Sequence, residues 1–258
     1  MTKRKAPLIP PLDLDADEYM SGLSVDNVIF GFHENQFRVL LLQTVTGRDW
    51  SLPGGFIRKD ESVDEASARV LQDRTGLKKV YLQQFAVFGS PGRSKINLSA
   101  DFGKVFGLES PMPVWLQQRF VTIGYYALVE FGKVKPRSDE FSLSCVWHEV
   151  DRLPRMIYDH KEIVKSALLA MRQHLNYQPI GYNLLPEEFT LKSLQTIYET
   201  ILDKKLDRAN FNRKMLSLGI LEKKDKLYTG AAHKAPYLYS FNKQAYFKLL
   251  KEGFGPGF

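Results

Sequence analysis

The chain has 258 residues and a single cysteine, Cys145, so it cannot close an internal disulfide. That excludes a small secreted domain stapled by bridges. It also lacks long apolar runs: no stretch approaches the roughly 18 uninterrupted apolar residues that a membrane helix needs. Its first segment, Met1 to Asp17, runs basic, proline-rich and then acidic. It lacks the apolar core of about 7 to 15 residues found in a signal peptide. These absences point to a cytoplasmic protein with no membrane partner and with a loose tail over residues 1–22. No internal repeat is visible.

What is present is ordinary globular composition, 44% hydrophobic and 12% aromatic, with 36 Lys plus Arg against 29 Asp plus Glu and a net charge of +7. Such a chain can bury a core, and is long enough for two. The excess charge is uneven. Residues 1–182 hold 23 basic and 21 acidic side chains, whereas residues 183–258 hold 13 and 8. A basic small domain beside a near-neutral large one fits a polyanion partner, because phosphate backbones attract Lys and Arg before any base is read. The bland alternative is a solvated charged surface.

From Val25 to Phe32 the sequence is β-branched and aromatic, Glu34 and Asn35 give a turn, and Phe37 to Thr44 is a second apolar run, together a hairpin signal. Pro53 to Gly55 reads as a turn. Ser62 and Glu65 form a capping box that opens a helix with Ala66, Val70 and Leu71 inward and Gly76 at its end. Strands are expected at Val80 to Gly89, Phe120 to Phe131 and Phe141 to Trp147. Residues 164, 167, 168, 171 and 175 keep helical spacing within Glu162 to Leu175. A linker is placed around Asn176 to Pro186.

Beyond it, Thr190 can cap a helix whose Leu191, Leu194, Ile197, Tyr198 and Ile201 form one stripe. Asp207 can cap a second, with Phe211, Met215 and Leu218 inward and Gly219 ending it. Strand-like Ile220 to Glu222, a Lys-rich loop from Lys223 to Pro236 and an aromatic strand at Tyr237 to Phe241 complete the order of a winged helix-turn-helix.

The segment from Gly55 to Leu77 resembles the Nudix box, with Gly55, Glu61, Arg69, Leu71, Gly76 and Leu77 at their places. In active Nudix hydrolases, a glutamate after the arginine and an adjacent pair three and four residues later project from one helix face. Their carboxylates converge on magnesium, a hard cation that takes oxygen ligands. Here Val70 stands for the first glutamate, and Asp73 with Arg74 for the pair. Asp73 and the more distant Glu61 do not make a metal site, so no catalytic residue, metal or cofactor is expected. The guanidinium of Arg74 is expected to occupy the vacated metal position and pair with Glu61 or Asp73; the alternative is an exposed arginine without consequence. The box marks a fold more than an activity.

With Phe211 and Met215 inward, Ala209, Asn210, Arg213 and Ser217 turn outward on the second helix, flanked by Arg208, Asn212 and Lys214. That face suits a DNA groove, where Arg pairs with guanine, Asn with adenine, and Lys holds phosphate. Lys223, Lys224, Lys226, His233 and Lys234 can follow the adjacent backbone from the wing. A winged domain that binds only protein remains the alternative.

Taken together, the two halves resemble the Nudix-related transcriptional regulators, in which a Nudix-fold sensor is joined to a C-terminal winged helix. The resemblance runs from about Val25 to Tyr246 and rests on WSLPGGF (50–56), KDESV (59–63), YYAL (125–128), PIGYNLLPEEF (179–189) and DRANFNRK (207–214). It is closest to the sugar-responsive, arabinose-sensing branch; a second branch responds to ADP-ribose or related NAD metabolites. The resemblance implies a homodimer that releases double-stranded operator DNA when a small-molecule effector binds the Nudix domain. One departure is the long loop from Ser90 to Gln118, too long for an ordinary connection and so either a lid or disordered; Phe102, Val105, Phe106, Trp115 and Leu116 offer apolar surface that favours the lid. At its ends, Arg93 and Arg119 are the candidate effector-binding cations. His160 reads as a capping or packing histidine and Cys145 as a small core residue.

The expected architecture is therefore an α/β Nudix fold, a mixed sheet between helices, over residues 1–178, followed by a winged helix over 179–258. The expected function is a ligand-responsive, non-enzymatic transcription factor that senses a sugar. The rivals are a Nudix hydrolase of nucleoside diphosphate derivatives such as ADP-ribose and an RNA- or protein-binding adaptor.

Overall fold

The computed structural model describes residues 17–93, 114–175, 181–228 and 235–252. Most of the tail, the loop residues Phe102, Val105 and Phe106, the linker residue Pro179, and His233 and Lys234 of the wing lie outside the described residues. The chain forms two compact units. One comprises the stretches up to Phe30, Arg38–Ala127 and Val134–Ala167; the other comprises Gly31–Phe37, Leu128–Lys133 and the stretch from Leu168 onward.

The first unit is built on a seven-stranded sheet. Strands β1 (Tyr19–His33) and β2 (Gln36–Thr44) form the expected hairpin, with Glu34 and Asn35 at φ 50° and 61°. Left-handed backbone at both central positions matches the twist of the flanking strands. β3 (Trp50–Ser51) pairs with β2, and β4 (Gly54–Arg58) pairs with β1. The Pro53 to Gly55 segment is thus not a turn. Gly54 and Gly55 lie opposite Asp26 and Val25 in the ladder, and a Cβ at residue 54 would collide with the Asp26 carboxylate. These glycines serve close approach.

Helix α1 (Val63–Thr75) has both halves of the Ser62–Glu65 capping box, and Gly76 ends it at φ 73°. Its Ala66 and Val70 pack with Val25, Ile57, Ile123 and Tyr125 into one apolar cluster. Asn27 binds it as well: the Asn27 amide donates to the Ser67 carbonyl at 2.8 Å, and the Ser67 hydroxyl donates to Asn27 Oδ1 at 2.7 Å. β5 (Leu82–Phe88) pairs with β6 (Val121–Val129), and β7 (Ser142–Glu149) pairs with β2. Cys145 is buried in β7, and burial pushes its thiol pKa up to about 11, as expected of a core residue. Helix α2 (His160–His174) buries Ile163, Val164, Ala167 and Met171, the expected spacing.

In the second unit, α3 (Leu191–Leu202) is capped by Thr190 and buries Leu194, Ile197, Tyr198 and Ile201. Helix α4 (Arg208–Ser217) is capped by Asp207, buries Phe211 and Met215, and is followed by Gly219 at φ 67°. A three-stranded sheet has the order β8 (Phe189–Thr190), β10 (Tyr237–Phe241), β9 (Leu221–Lys226). β9 runs further than expected, so Lys223, Lys224 and Lys226 lie on a strand and not in a loop. A last helix, α5 (Lys243–Glu252), adds Tyr246 to an aromatic cluster with Tyr182 and Phe241. No helix among the described residues is long and apolar enough to cross a membrane.

Candidate functional site

The first unit holds a cavity of about 290 Å³ between the N-terminal half of β1, β4, the last turns of α1 and the start of α2. Val25 and Asp26 enter it from β1, Gly54 to Phe56 from β4, and Arg69, Val70, Asp73 and Arg74 from α1. Tyr19, Phe56 and Phe120 form an aromatic wall, with Trp115 stacked on Tyr19 at 5.7 Å between centroids. Leu116 lines the cavity and is 1% exposed. The described end of the long loop is thus packed against the cavity.

The cavity lies on the box helix, but the box residues are arranged for something other than a metal. Val70 belongs to the apolar cluster and is 2% exposed. Glu61 is consumed by Arg69, whose Nε donates to Glu61 Oε2 at 2.9 Å and whose Nη2 donates to Glu61 Oε1 and to the Phe56 carbonyl. Glu61 Oε1 also accepts from the Arg58 amide at 2.9 Å. Burial pushes the Glu61 pKa upward, but the hydrogen bonds from Arg69 and Arg58 outweigh it and hold the carboxyl below its usual range. The expected pairing of Arg74 with Glu61 or Asp73 is replaced by another. Arg74 Nη2 meets Asp139 Oδ2 at 3.1 Å, and the Arg74 carbonyl accepts from the Arg137 amide. The reason is helical: five residues after Arg69, Arg74 projects about 140° away from it. Its buried Nε has no hydrogen-bond acceptor among the described residues. Those residues place no three His, Cys, Asp or Glu side chains where they can hold a metal ion, so the donor set does not fit magnesium.

Arg93 also lines the cavity, and its side chain is 7% exposed. Its Nη2 meets Asp26 Oδ2 at 3.2 Å, its Nε meets Asp159 Oδ1 at 3.0 Å, and its Nη1 donates to the Phe88 carbonyl at 3.0 Å. His160 completes this group: its Nδ1 accepts from the Leu52 amide at 2.9 Å, and its Nε2 lies 3.9 Å from Asp26 Oδ2. Burial lowers the His160 pKa, and Arg93 adds to that, against the opposing pull of Asp26 and Asp159. Sequence reasoning brought Arg93 to the cavity but not Arg119, which is exposed and does not line it. It missed Asp26, Asp139 and Asp159. The available signal was Asp26 itself, a carboxylate inside the apolar Val25 to Phe32 run, since a buried charge in a strand needs a partner.

In the second unit, α4 presents Arg208, Ala209, Asn210, Arg213, Lys214 and Ser217 to solvent. The Asp207 carboxylate accepts from the Asn210 amide at 2.8 Å, and Arg213 Nη2 donates to Asn210 Oδ1 at 2.6 Å. Asn212 differs from its neighbours: its Oδ1 is buried, which takes it off the outward face. On β9, Lys224 pairs with Glu222 at 3.1 Å, while the Lys223 and Lys226 ammonium groups lie 3.6 and 5.3 Å from the Tyr237 ring centroid.

Comparison with known proteins follows the same division. Residues 20–167 match the NUDIX domain, and residues 181–241 match the NrtR DNA-binding winged helix domain. The chain is 29% identical over 238 residues to the ADPR responsive transcriptional repressor NtrR of Acinetobacter baylyi, covering 89% of this chain and 86% of that protein. The crystal structure of Shewanella oneidensis NrtR has a TM-score of 0.68 at 25% identity, over 86% of this chain and 94% of that one. The same protein complexed with a 27mer DNA shares the fold, with a TM-score of 0.68 at 24% identity over 87% of this chain and 95% of that one. The Acinetobacter relative is named for ADPR and not for a sugar, so the sugar-responsive branch expected from the sequence gains no support. The chain belongs to the Nudix family, within its group of transcriptional regulators that join a Nudix domain to a C-terminal NrtR-type winged helix.

Proposed function

We propose that the protein is a cytoplasmic, homodimeric transcriptional repressor that releases operator DNA on binding ADP-ribose and does not hydrolyse it. Residues 1–178 serve as the effector-binding part and residues 179–258 as the DNA-binding part. Arg208, Asn210, Arg213 and Lys214 face the groove, and Lys224, Lys226 and Lys234 follow the backbone. The ADPR-responsive relative supports this choice of effector over a sugar.

The observation that carries the reading is Arg74. It lines the cavity at a position where the family's hydrolases hold metal, and its buried Nε still lacks an acceptor among the described residues. A donor of that kind costs stability until an acceptor arrives. A diphosphate supplies one without bringing a metal. The aromatic wall of Tyr19, Phe56 and Phe120 gives a base or ribose an apolar surface.

The test is selection of bound duplexes from a random library, followed by titration of the selected complex with ADP-ribose, ribose 5-phosphate and arabinose. ADP-ribose should release the DNA at concentrations where the other two do not. Release by arabinose alone, or no release by any of the three, contradicts the reading.

A further inference from the structure

Each guanidinium that lines the cavity is already held by a carboxylate: Arg69 by Glu61, Arg74 by Asp139, and Arg93 by Asp26 and Asp159. An anionic ligand therefore finds no guanidinium without a carboxylate among the described residues of this face, although Arg74 Nε still has a donor to offer. It must share an arginine with a carboxylate or take the arginine from it. The three arginines differ in how readily they yield. Arg69 is fixed by three acceptors that tie the box loop to the box helix. Arg74 faces one carboxylate. Arg93 also has three acceptors, the Phe88 carbonyl and two carboxylates, so its cluster sets two carboxylates against one guanidinium.

His160 does not supply the missing charge. Its Nδ1 accepts from the Leu52 amide, which leaves the proton of the neutral ring on Nε2, toward Asp26. Two carboxylates on one guanidinium repel each other, which favours displacement of one of them by an incoming anion. The two carboxylates are also unequal. The Asp26 side chain is 8% exposed and built into β1, whereas that of Asp159 is 23% exposed and can turn to water. Asp159 directly precedes α2, and its carbonyl accepts from the Ile163 amide at 3.0 Å in the first turn.

We propose that the effector is read by partner exchange at Arg93: a phosphate oxygen of the ligand replaces the Asp159 carboxylate on the guanidinium, and the released Asp159 loosens the first turn of α2. This rests on the ADP-ribose reading above and adds to it the pair of side chains that senses the phosphate. Arg93 contacts the ligand, and Asp159 is a positioning residue that competes with it. The consequence reaches further along the chain because α2 belongs to the first unit up to Ala167 and to the second from Leu168. Within the second unit, Arg172 of the same helix donates to the Ile201 carbonyl at the end of α3 at 2.6 Å.

The experiment uses the full-length protein and measures two quantities by calorimetry: ADP-ribose affinity, and the factor by which saturating ADP-ribose weakens binding to a selected duplex. Asp159→Asn removes the competing charge at nearly constant shape. It should tighten ADP-ribose binding by about fivefold, the size of one ion pair, while the coupling factor falls toward one. Asp159→Glu, which keeps the carboxylate, should restore coupling. Removal of a nearby negative charge could tighten binding by general electrostatics, but would leave the coupling factor untouched; an unchanged factor overturns the proposal. Should Asp159→Asn fail to fold, hydrogen exchange in the wild-type protein decides: the Ile163 amide should exchange faster with ADP-ribose bound, and equal or slower exchange overturns it. If wild-type protein binds no ADP-ribose at all, the underlying reading fails first, and this one with it.

Discussion

Gly55 and Val70 approach so closely that a Cβ on residue 55 would meet Val70 Cγ2 at 2.8 Å. Strand β4 and helix α1 are thereby joined by a side chain filling the space a second side chain would need. Gly55→Ala should cost about 1 to 3 kcal/mol through overpacking. Val70→Ala should cost about 2 kcal/mol through lost burial. The double variant should cost less than the two together, because an alanine at position 70 lacks the methyl that obstructs a Cβ at position 55. Urea unfolding of the three variants checks this. Strict additivity would mean that the strand shifts to accommodate the new Cβ.

The same contact bears on catalysis. Wild-type protein incubated with ADP-ribose and magnesium should release no AMP above background; turnover of about 1 per second, an ordinary enzymatic rate, would contradict the arrangement. Restoring the family's glutamate is not enough. Val70→Glu places a carboxylate among Val25, Ile57, Ala66 and Tyr125, and should destabilise the protein by about 3 kcal/mol or more before any metal is gained.

Buried histidines set the acid side of the stability profile. Burial holds the His160 pKa below its ordinary 6.5, so the native ring stays neutral while the unfolded chain takes up a proton. The contribution is complete above pH 6.5 and declines as pH falls below it, until the native ring also protonates. Glu61 acts lower: its depressed pKa gives stability that is present above 4.5 and lost as pH falls through the native value. Between these limits His160→Asn, which keeps an acceptor for the Leu52 amide, should flatten the slope of unfolding free energy against pH. His148 and His174, also lowered by burial, should leave a remainder. An unchanged slope would show that His160 is protonated in the native state.

What could be read in the sequence was local. Ser62 with Glu65, Thr190, Asp207, Gly76 and Gly219 each act within a turn of their own position, and the helices they bound lie where those residues place them. What could not be read was made by pairing across distance. Gly54 and Gly55 carry the composition of a turn, but β1 draws them into a ladder. Lys223 to Lys226 carry no apolar alternation, and only Tyr237 and its neighbours on β10 make them a strand. The cavity is the extreme case. Arg93 meets Asp26 and Asp159 across 67 and 66 residues, and no spacing rule connects them. The box pattern located the helix but could not show that Arg74 turns to Asp139.

On the wing, Lys226 and Lys224 should behave differently. Lys226 has a ring beneath it and no carboxylate partner among the described residues, so Lys226→Ala should weaken specific and random duplexes alike and lower the salt slope by about one. Lys224 already pairs with Glu222, so Lys224→Ala should do less. Glu222→Gln should raise affinity for random DNA by freeing it. Filter binding across a salt series measures all three, and a Glu222→Gln variant with unaltered affinity would place Lys224 away from the phosphates.

Helix α4 gives the sharpest test of the proposed DNA contacts, because two of its outward side chains are coupled. Arg213 donates to Asn210 Oδ1 at 2.6 Å, and the Asn210 backbone N–H donates to the capping Asp207 carboxylate at 2.8 Å. An asparagine that reads adenine needs its oxygen and nitrogen together. Here the oxygen is engaged by the arginine, which favours a different division of labour: Asn210 orients the guanidinium, and Arg213 alone reads a guanine. Arg213→Ala should then cost about 1 to 3 kcal/mol on the selected duplex and abolish discrimination at one base pair. Asn210→Ala should cost less, relax preference at that same base pair, and add almost nothing in the Arg213→Ala background. Fluorescence anisotropy on duplexes substituted one position at a time separates the alternatives. If the two variants relax different base pairs and their losses add, each side chain reads its own base and the hydrogen bond between them breaks on binding.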